Sequence, residues 1–387
     1  MGTQQFDETT DVIVVGYGFA GAVAAMSARK AGADVILLEK SPDPGGISIC
    51  SQGAVCCARN ADHAFAYLKA TNGDRVPDVV TRALADGMTE CEEFVRGLAG
   101  IADANISVRE RGGNYPFPHR KAFHYTTVES IPGFNALETY PHVRGRIYGA
   151  HLFRLLELHL EEQAVDIRIA TAAERPIRDG DNRVIGLKVR SAGGTKTIAA
   201  RKGVVLACGG FEASDAMKNE YWQQPHVLSA ANKFNTGDGV RMAQSAGADL
   251  WHMWHYHGSY GFRHPDPDYP YGVRIKRFPD WVPDGSVDEP IQGDDQVSVP
   301  MAWILVNRHG RRFMNEQHPY MQDTTARPFE NFDPVTMSFP AVPCWLVCDE
   351  AGRKLYPLGN PTYNDRTVSL DWSPDNSKEI AEGILKR

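Results

Sequence analysis

The chain has 387 residues, of which 42% are hydrophobic and 23% charged, with a formal net charge of -7. That is enough length and apolar content for two domains around a substantial core, while the acidic balance argues against nucleic acid as a partner, since such binding rests on a basic face. No apolar run is long enough to cross a bilayer, so no membrane span is expected. The polar start, Met1 to Thr10, has neither the basic nor the apolar segment of a secretory leader, and the expected location is cytoplasmic. Seven cysteines form no Cys-x-x-Cys pair and read as free thiols of a reducing compartment.

In chain order, Asp11 to Val15 is a β-branched apolar run suited to a buried strand, followed by a turn over Gly16 to Gly21. Ala22 to Ala31 is a helix of small residues ended by Gly32, and Val35 to Leu38 is a second strand. Together they make a parallel βαβ unit. Pro42, Pro44, Gly45 and Gly46 mark a loop; helices are expected near Asp62 to Thr71 and Pro77 to Leu98. Gly112 to Gly145, rich in aromatics with Pro and His, has no clear period, whereas Ile147 to Gln163 is helical through Leu152, Leu155, Leu156 and Leu160. Strands are expected at Asp166 to Thr171, Val184 to Val189, Thr197 to Ala200 and Val204 to Ala207, with a turn at Asp179 to Asn182 inside a small antiparallel meander. Gly237 to Ala246 is a short helix. From Gly258 to Gln296 the chain is crowded with Pro, Asp and aromatics, which places a boundary between domains at 1–255 and 256–387. Trp303 to Asn307 and Arg311 to Asn315 flank a turn at Arg308-His309-Gly310 and read as a hairpin, and Cys344 to Cys348 as another strand.

The first glycine turn has the context that gives such a pattern meaning. Gly16 allows the tight turn off the strand, Gly18 lets backbone approach a pyrophosphate, and Gly21 permits helix–strand contact, with Ala20 and Ala25 small beside them. Helix-terminal N–H groups and the helix dipole then favour phosphate. Glu39 closes the second strand, where a carboxylate accepts hydrogen bonds from an adenosine ribose and repels a 2′-phosphate. Gly45-Gly46-Ile47-Ser48 and Gly53 form a second glycine loop, and Gly209-Gly210 ends the run Val204 to Cys208 as a third. A nicotinamide dehydrogenase needs only the first loop; three favour FAD.

These segments, with Leu38-Glu39-Lys40, Asn235-Thr236-Gly237-Asp238-Gly239 and Arg312-Phe313-Met314-Asn315-Glu316, occur in an order that resembles the flavoproteins of the fumarate reductase and succinate dehydrogenase family and the 3-ketosteroid Δ1-dehydrogenases. The resemblance implies an α/β fold: a Rossmann-like FAD-binding domain with a small antiparallel β-meander, then an α+β capping domain. It also implies that Asp238 contacts FAD and that Ala173 lies near the adenine. Where succinate dehydrogenases carry a flavin-linking histidine this chain has Ile47, so non-covalent FAD is expected. Where fumarate reductases place a proton-donating arginine it has Val299, which counts against direct fumarate reduction. The ketosteroid branch's tyrosine is matched by Tyr320 in Asn315-Glu316-Gln317-His318-Pro319-Tyr320, the candidate proton-transfer group; its alternative is packing under the cap.

The expected reaction is desaturation of a CH–CH bond next to a carbonyl in a cyclic ketone or steroid-like substrate, with an electron-transfer partner or quinone-like acceptor. An ene-reductase of an unsaturated acid, or a non-catalytic FAD-binding protein, are the alternatives. Tyr125 is a second, weaker proton-transfer candidate. His252, His255 and His257 lack carboxylate or cysteine partners at ligand spacing; no metal is expected, and cleft or packing roles stay open. Tyr269, Tyr271, Phe278 and Trp281 either line an apolar substrate cleft or form a rigid loop.

The resemblance further implies a return to the FAD domain after the cap. Gly352, Gly359 and Gly383 stand singly after Trp345, and Lys378 to Arg387 reads as a helix without a stop. The expectation is that the returning segment is absent, that apolar surface of the parent sheet is uncovered, and that the chain alone does not hold flavin competently.

Overall fold

The computed structural model describes residues 5–145, 147–224, 226–258, 260–275, 302–316 and 324–386. In chain order it opens with β1 (Glu8–Val15), α1 (Phe19–Lys30) and β2 (Val35–Leu38), the βαβ unit expected from the sequence. β3 (Val55–Ala58), α2 (Ala61–Asn72), α3 (Asp78–Ala99), β4 (Asn105–Glu110) and β5 (Phe123–Ser130) follow, then α4 (Ala136–Thr139), β6 (Val143–Arg144) and α5 (Ile147–Glu162). β7 (Asp166–Arg168), β8 (Ala172–Arg178), β9 (Val184–Ser191) and β10 (Gly194–Leu206) lead to α6 (Asp215–Met217) and α7 (Asp238–Ser245). The remainder holds β11 (Gly261–Arg263), β12 (Gly272–Ile275), β13 (Trp303–Val306), β14 (Trp345–Cys348), α8 (Glu350–Arg353), β15 (Gly359–Asn360), β16 (Tyr363–Asn364) and α9 (Ser377–Ala381).

The central sheet runs β7-β2-β1-β10-β9-β8, parallel from β7 to β10 and antiparallel through the meander. β2 and the end of β1, Ile13 to Val15, are buried on both faces, which is why they read as unbroken apolar runs. Side chains alternate across the sheet. Val14 and Leu37 point into a cluster with Ala22, Ala25 and Met26 of α1 and Phe153, Leu155, Leu156 and Leu160 of α5. Ile13, Val15, Ile36 and Leu38 join Leu187, Val189 and Ile198 of the meander and Met242 of α7 on the other face. β10 runs unbroken through Arg201 to Gly203, uniting two expected strands, because β1 pairs with it on both sides of a shift between Thr10 and Val12. Past Ala199, β10 leaves β9, and Val205 and Leu206 stand 38% and 40% exposed.

Three sequence expectations change. The stretch from Gly112 to Gly145, read without period, contains β5, the centre of a three-stranded antiparallel sheet β3-β5-β4. Its cross-strand pairs, such as Cys57 with His124, come from distant segments and leave no local signal. The hairpin after β13 reduces to a turn: Asn307 Oδ1 accepts the N–H groups of His309 and Arg311, and one bridge joins Val306 to Arg312. β13 pairs instead with β14, register Trp303–Cys348 to Val306–Trp345. The last helix stops at Ala381, with Gly383 left-handed at φ 76° just beyond. Phe153, fully buried, has its ring 5.1 Å from that of Tyr17 and 6.2 Å from that of Tyr140. Phe153→Ala is expected to cost about 3–5 kcal/mol for a large-to-small core change, read as a lower midpoint in urea denaturation.

Candidate functional site

β1, β2 and β10 end in one register row, Val15 opposite Leu38 and Leu206. Three turns therefore leave the sheet side by side at its C-terminal edge, where open α/β sheets bind ligands. The N–H of Gly16 donates to the Leu38 carbonyl at 2.7 Å, and that of Ala207 to the Val15 carbonyl at 2.8 Å, tying the turns after β1 and β10 each to a neighbouring strand. Gly16 is left-handed at φ 105°, and a Cβ at Gly21 would overlap the Gly16 carbonyl oxygen. Only glycine allows α1 to start this close to the strand.

Gly18 caps α1 without a side-chain hydrogen bond, and the first turn carries no acidic residue. The N–H groups of Ala20 and Gly21, in that first turn, have no acceptor within a regular helix. The second glycine loop is docked here: Gly45 N–H donates to the Tyr17 carbonyl at 2.7 Å, and Phe19 N–H to Ser48 Oγ at 3.2 Å. Gly53, at φ 64°, abuts the Tyr148 backbone. In the third turn Gly209, at φ 72°, lies against Asn235, and the Gly210 carbonyl accepts the Gly237 N–H at 3.0 Å. Such a cradle, with a bare helix start and little side-chain volume, fits a pyrophosphate.

Glu39 is mostly buried beside it. Its carboxylate accepts Tyr17 N–H at 2.9 Å and Ser41 N–H at 2.7 Å. Burial pushes its pKa up, and these hydrogen bonds only partly oppose the shift. Lys40 Nζ bonds Thr236 Oγ1 at 2.7 Å and Asp238 Oδ2 at 2.5 Å. Burial raises the Asp238 carboxyl, but Lys40, Thr236 and Arg241 together hold it below its ordinary value. Ala173, on β8, is partly buried against the cluster that includes Leu38 and Met242, two residues beyond Thr171, whose N–H donates to the Glu39 carbonyl at 2.8 Å. Gly16, Gly18, Ala20, Gly21, Glu39, Lys40, Gly45, Gly46, Ser48, Gly209 and Asp238 thus converge; Gly53 and Ala173 flank them.

Sequence reasoning missed the partners: Tyr17 and Ser41 through their backbone, and Thr236 and Arg241 around Asp238. It also missed Gly149, where a Cβ would meet the Ser48, Ile49 and Ser51 carbonyl oxygens at 2.6–2.8 Å. An otherwise costly glycine at a helix start was the available signal.

Residues 11–259 match the FAD binding domain family. The chain belongs to that family. This flavoprotein is 26% identical to a 3-oxosteroid 1-dehydrogenase of Mycolicibacterium smegmatis over 89% of its own length and 68% of the relative's. It is 28% identical to a probable fumarate reductase of Shewanella frigidimarina over 63% of its length, spanning 40% of that relative. Its fold matches the 3-ketosteroid Δ1-dehydrogenase of Sterolibacterium denitrificans, solved with 1,4-androstadiene-3,17-dione, with a TM-score of 0.71 at 24% identity over 92% of this chain and 71% of that one. FAD is the flavoprotein's cofactor, and it is an FAD-dependent oxidoreductase of α/β fold.

Tyr320 lies outside the described residues, as do Val299, Phe278 and Trp281. Tyr125 sits on β5 under the Arg111 guanidinium, 5.1 Å from its ring centroid. Tyr271 is buried in a cluster with Val273, Tyr363 and Leu370 and donates to Asp365 at 2.8 Å, so it packs there. His252 and His255 stack at 5.5 Å, and Arg327 donates to His255 Nδ1 at 2.8 Å. Among the described residues no helix is long and apolar enough to cross a membrane.

Lys40→Met is expected to raise the Asp238 pKa, since burial then acts with less opposition. A depressed carboxyl contributes stability above its unfolded value, near 3.8, that is lost as pH falls through the folded value. Carboxyl NMR titration of the wild type and variant reads the shift directly.

Proposed function

We propose that the flavoprotein is a dehydrogenase that desaturates a CH–CH bond next to a carbonyl, in a cyclic ketone or steroid-like substrate. The observation that carries this reading is the convergence of three glycine turns with Glu39 and Asp238 on one edge of the sheet, in a chain similar to a 3-oxosteroid 1-dehydrogenase over most of its length. Residues up to 255 form the FAD-binding domain and residues 256–387 the cap.

The proposed binding roles follow from the geometry. Gly16, Gly18, Ala20 and Gly21 bring backbone N–H groups to the pyrophosphate. Glu39 has lone pairs left after accepting from Tyr17 and Ser41, and these accept ribose hydroxyls. Gly45, Gly46, Gly53, Gly209 and Gly210 keep side chains clear of the path toward the flavin ring, and Ser48 seats the second loop on the helix start through its Oγ, which accepts the Phe19 N–H. Lys40 and Asp238 join the β2 turn to the start of α7, and Ala173 leaves space for the adenine.

Bound FAD supplies the hydride acceptor. The substrate loses a hydride from one carbon and a proton from the carbon next to the carbonyl, and the carbon–carbon double bond forms between them. Tyr320, on its sequence pattern, takes that proton; its ordinary pKa near ~10 requires a stabilised anion for this at neutral pH. An electron-transfer partner or quinone-like acceptor would take up the electrons removed from the substrate. Ile47, 45% exposed, stands where the resemblance places a flavin-linking histidine, so FAD is held without a covalent bond.

Acid precipitation is expected to release all the flavin as FAD; colour retained on the pellet would contradict non-covalent binding. Tyr320→Phe is expected to keep FAD and lose turnover by roughly 10²–10⁴-fold; a near-normal rate would return Tyr320 to a packing role. The deciding experiment is anaerobic flavin bleaching against cyclic ketones and dicarboxylic acids. Bleaching by ketones supports the proposal. Reoxidation of reduced flavin by unsaturated acids alone would favour an ene-reductase.

A further inference from the structure

The second glycine loop is held from two sides. Toward the sheet it is tied to the first glycine turn through Gly45 and Ser48. Its other side is gripped by residues more than three hundred positions later in the chain. Asn364 Nδ2 donates to the carbonyls of Pro44 at 2.8 Å and Gly46 at 3.1 Å. Both partners are acceptors, which fixes the orientation of the amide. Arg366 Nε reaches both oxygens of Asp43, at 2.9 and 3.0 Å, and its Nη2 also bonds Oδ1. Asp43 N–H in turn donates to Ser41 Oγ at 3.0 Å, and Ser41 N–H to the Glu39 carboxylate. One hydrogen-bonded chain therefore runs from Arg366 to Glu39.

The gripping segment is itself rigidly mounted. Tyr363 is fully buried, its ring parallel to that of Tyr271 at 6.2 Å. Asn364 is 2% exposed, and its N–H donates to the Ala231 carbonyl at 3.1 Å. Asp365 is bonded by Tyr271 Oη and Lys233 Nζ, each at 2.8 Å. Asn364 Oδ1 is buried without a hydrogen-bond partner, a cost the fold carries where the same amide holds two loop carbonyls. Gly45 and Gly46, both left-handed, have little intrinsic preference for this one shape. The shape is imposed from outside the loop.

We propose that Asn364 and Arg366 are positioning residues for FAD: they form a clasp, carried by the cap, that sets the second glycine loop and so makes cofactor affinity depend on the cap. The inference rests on the reading of the Gly45–Gly46 loop as cofactor-facing. By reciprocity, bound FAD tightens the clasp to the same degree that the clasp favours FAD.

The test is FAD titration of the deflavinated full chain, followed by flavin fluorescence, for wild type, Arg366→Gln, Asn364→Ala, Arg366→Lys and Gly45→Ala. Arg366→Gln and Asn364→Ala are expected to weaken FAD by about 10-fold or more, in the range of coupling between sites. Arg366→Lys is expected to recover part of the loss, with the far-ultraviolet circular dichroism of all three unchanged. Hydrogen exchange on the wild type supplies a second readout that needs no variant: FAD is expected to slow exchange at 362–367 as well as at 43–48. Wild-type affinity in Arg366→Gln and Asn364→Ala beside a loss in Gly45→Ala would overturn the clasp and keep the loop. Wild-type affinity in Gly45→Ala would overturn the loop reading itself. If the clasp variants do not fold, unchanged exchange at 362–367 on FAD binding overturns the proposal.

Discussion

The Glu39 carboxylate accepts one N–H from the first glycine turn and one from the chain leaving β2. Those two hydrogen bonds tie together segments that meet only because β1 and β2 pair in parallel. A carboxylate on two N–H donors is a strong, charge-assisted arrangement, placed where burial would otherwise penalise it. It takes up the Tyr17 N–H, while the N–H groups of Ala20 and Gly21 in the first turn of α1 have no acceptor within the helix. The second glycine loop, seated on the Tyr17 carbonyl, inherits its position from the same contact.

Around that contact the site is built from backbone and opposed charges. Lys40 follows Glu39 directly and faces Asp238, the first residue of α7, so adjacent residues on one turn fix two different elements. An aspartate in the first turn of a helix also complements its dipole. Cys208 lies between these charges, and burial, with Asp238 nearby, pushes its thiol up to about 11. Burial likewise pushes Cys50 to about 12 and Cys344 to about 11. These three stay protonated at neutral pH and are poor nucleophiles, which fits a chain whose chemistry resides in a flavin.

The later part of the chain is joined to the first at discrete points. β16 pairs with β6, Lys233 meets Asp365, and Arg144 meets Asp371 at 2.8 Å. Tyr271, Tyr363 and Leu370 form a small core immediately behind these contacts. The aromatic richness of this region is thus spent partly on an internal core, and an aromatic count alone could not separate that from a substrate lining.

The sequence by itself determined the parts whose physics is local. A β-branched run, a glycine turn, a helix of small residues and a terminal glutamate specify β1, α1, β2 and Glu39, because conformational freedom at Gly16 and the buried-strand pattern need no distant partner. The turn at Asp179 to Asn182, the two strands after it and the helix after Gly237 were legible for the same reason, whereas β8, Ala172–Arg178, was not expected and the strand expected at Asp166 to Thr171 is the parallel β7. Tertiary structure decided what depends on pairing across the chain. β5 has no period of its own because its neighbours β3 and β4 supply its register. β13 turned from the adjacent segment to β14, whose Leu346 packs with Leu305 and Trp303 in one apolar cluster. Lys40 found Asp238, and Asp43 found Arg366, only through the fold, since ion pairing between residues about two or three hundred positions apart leaves no spacing to read.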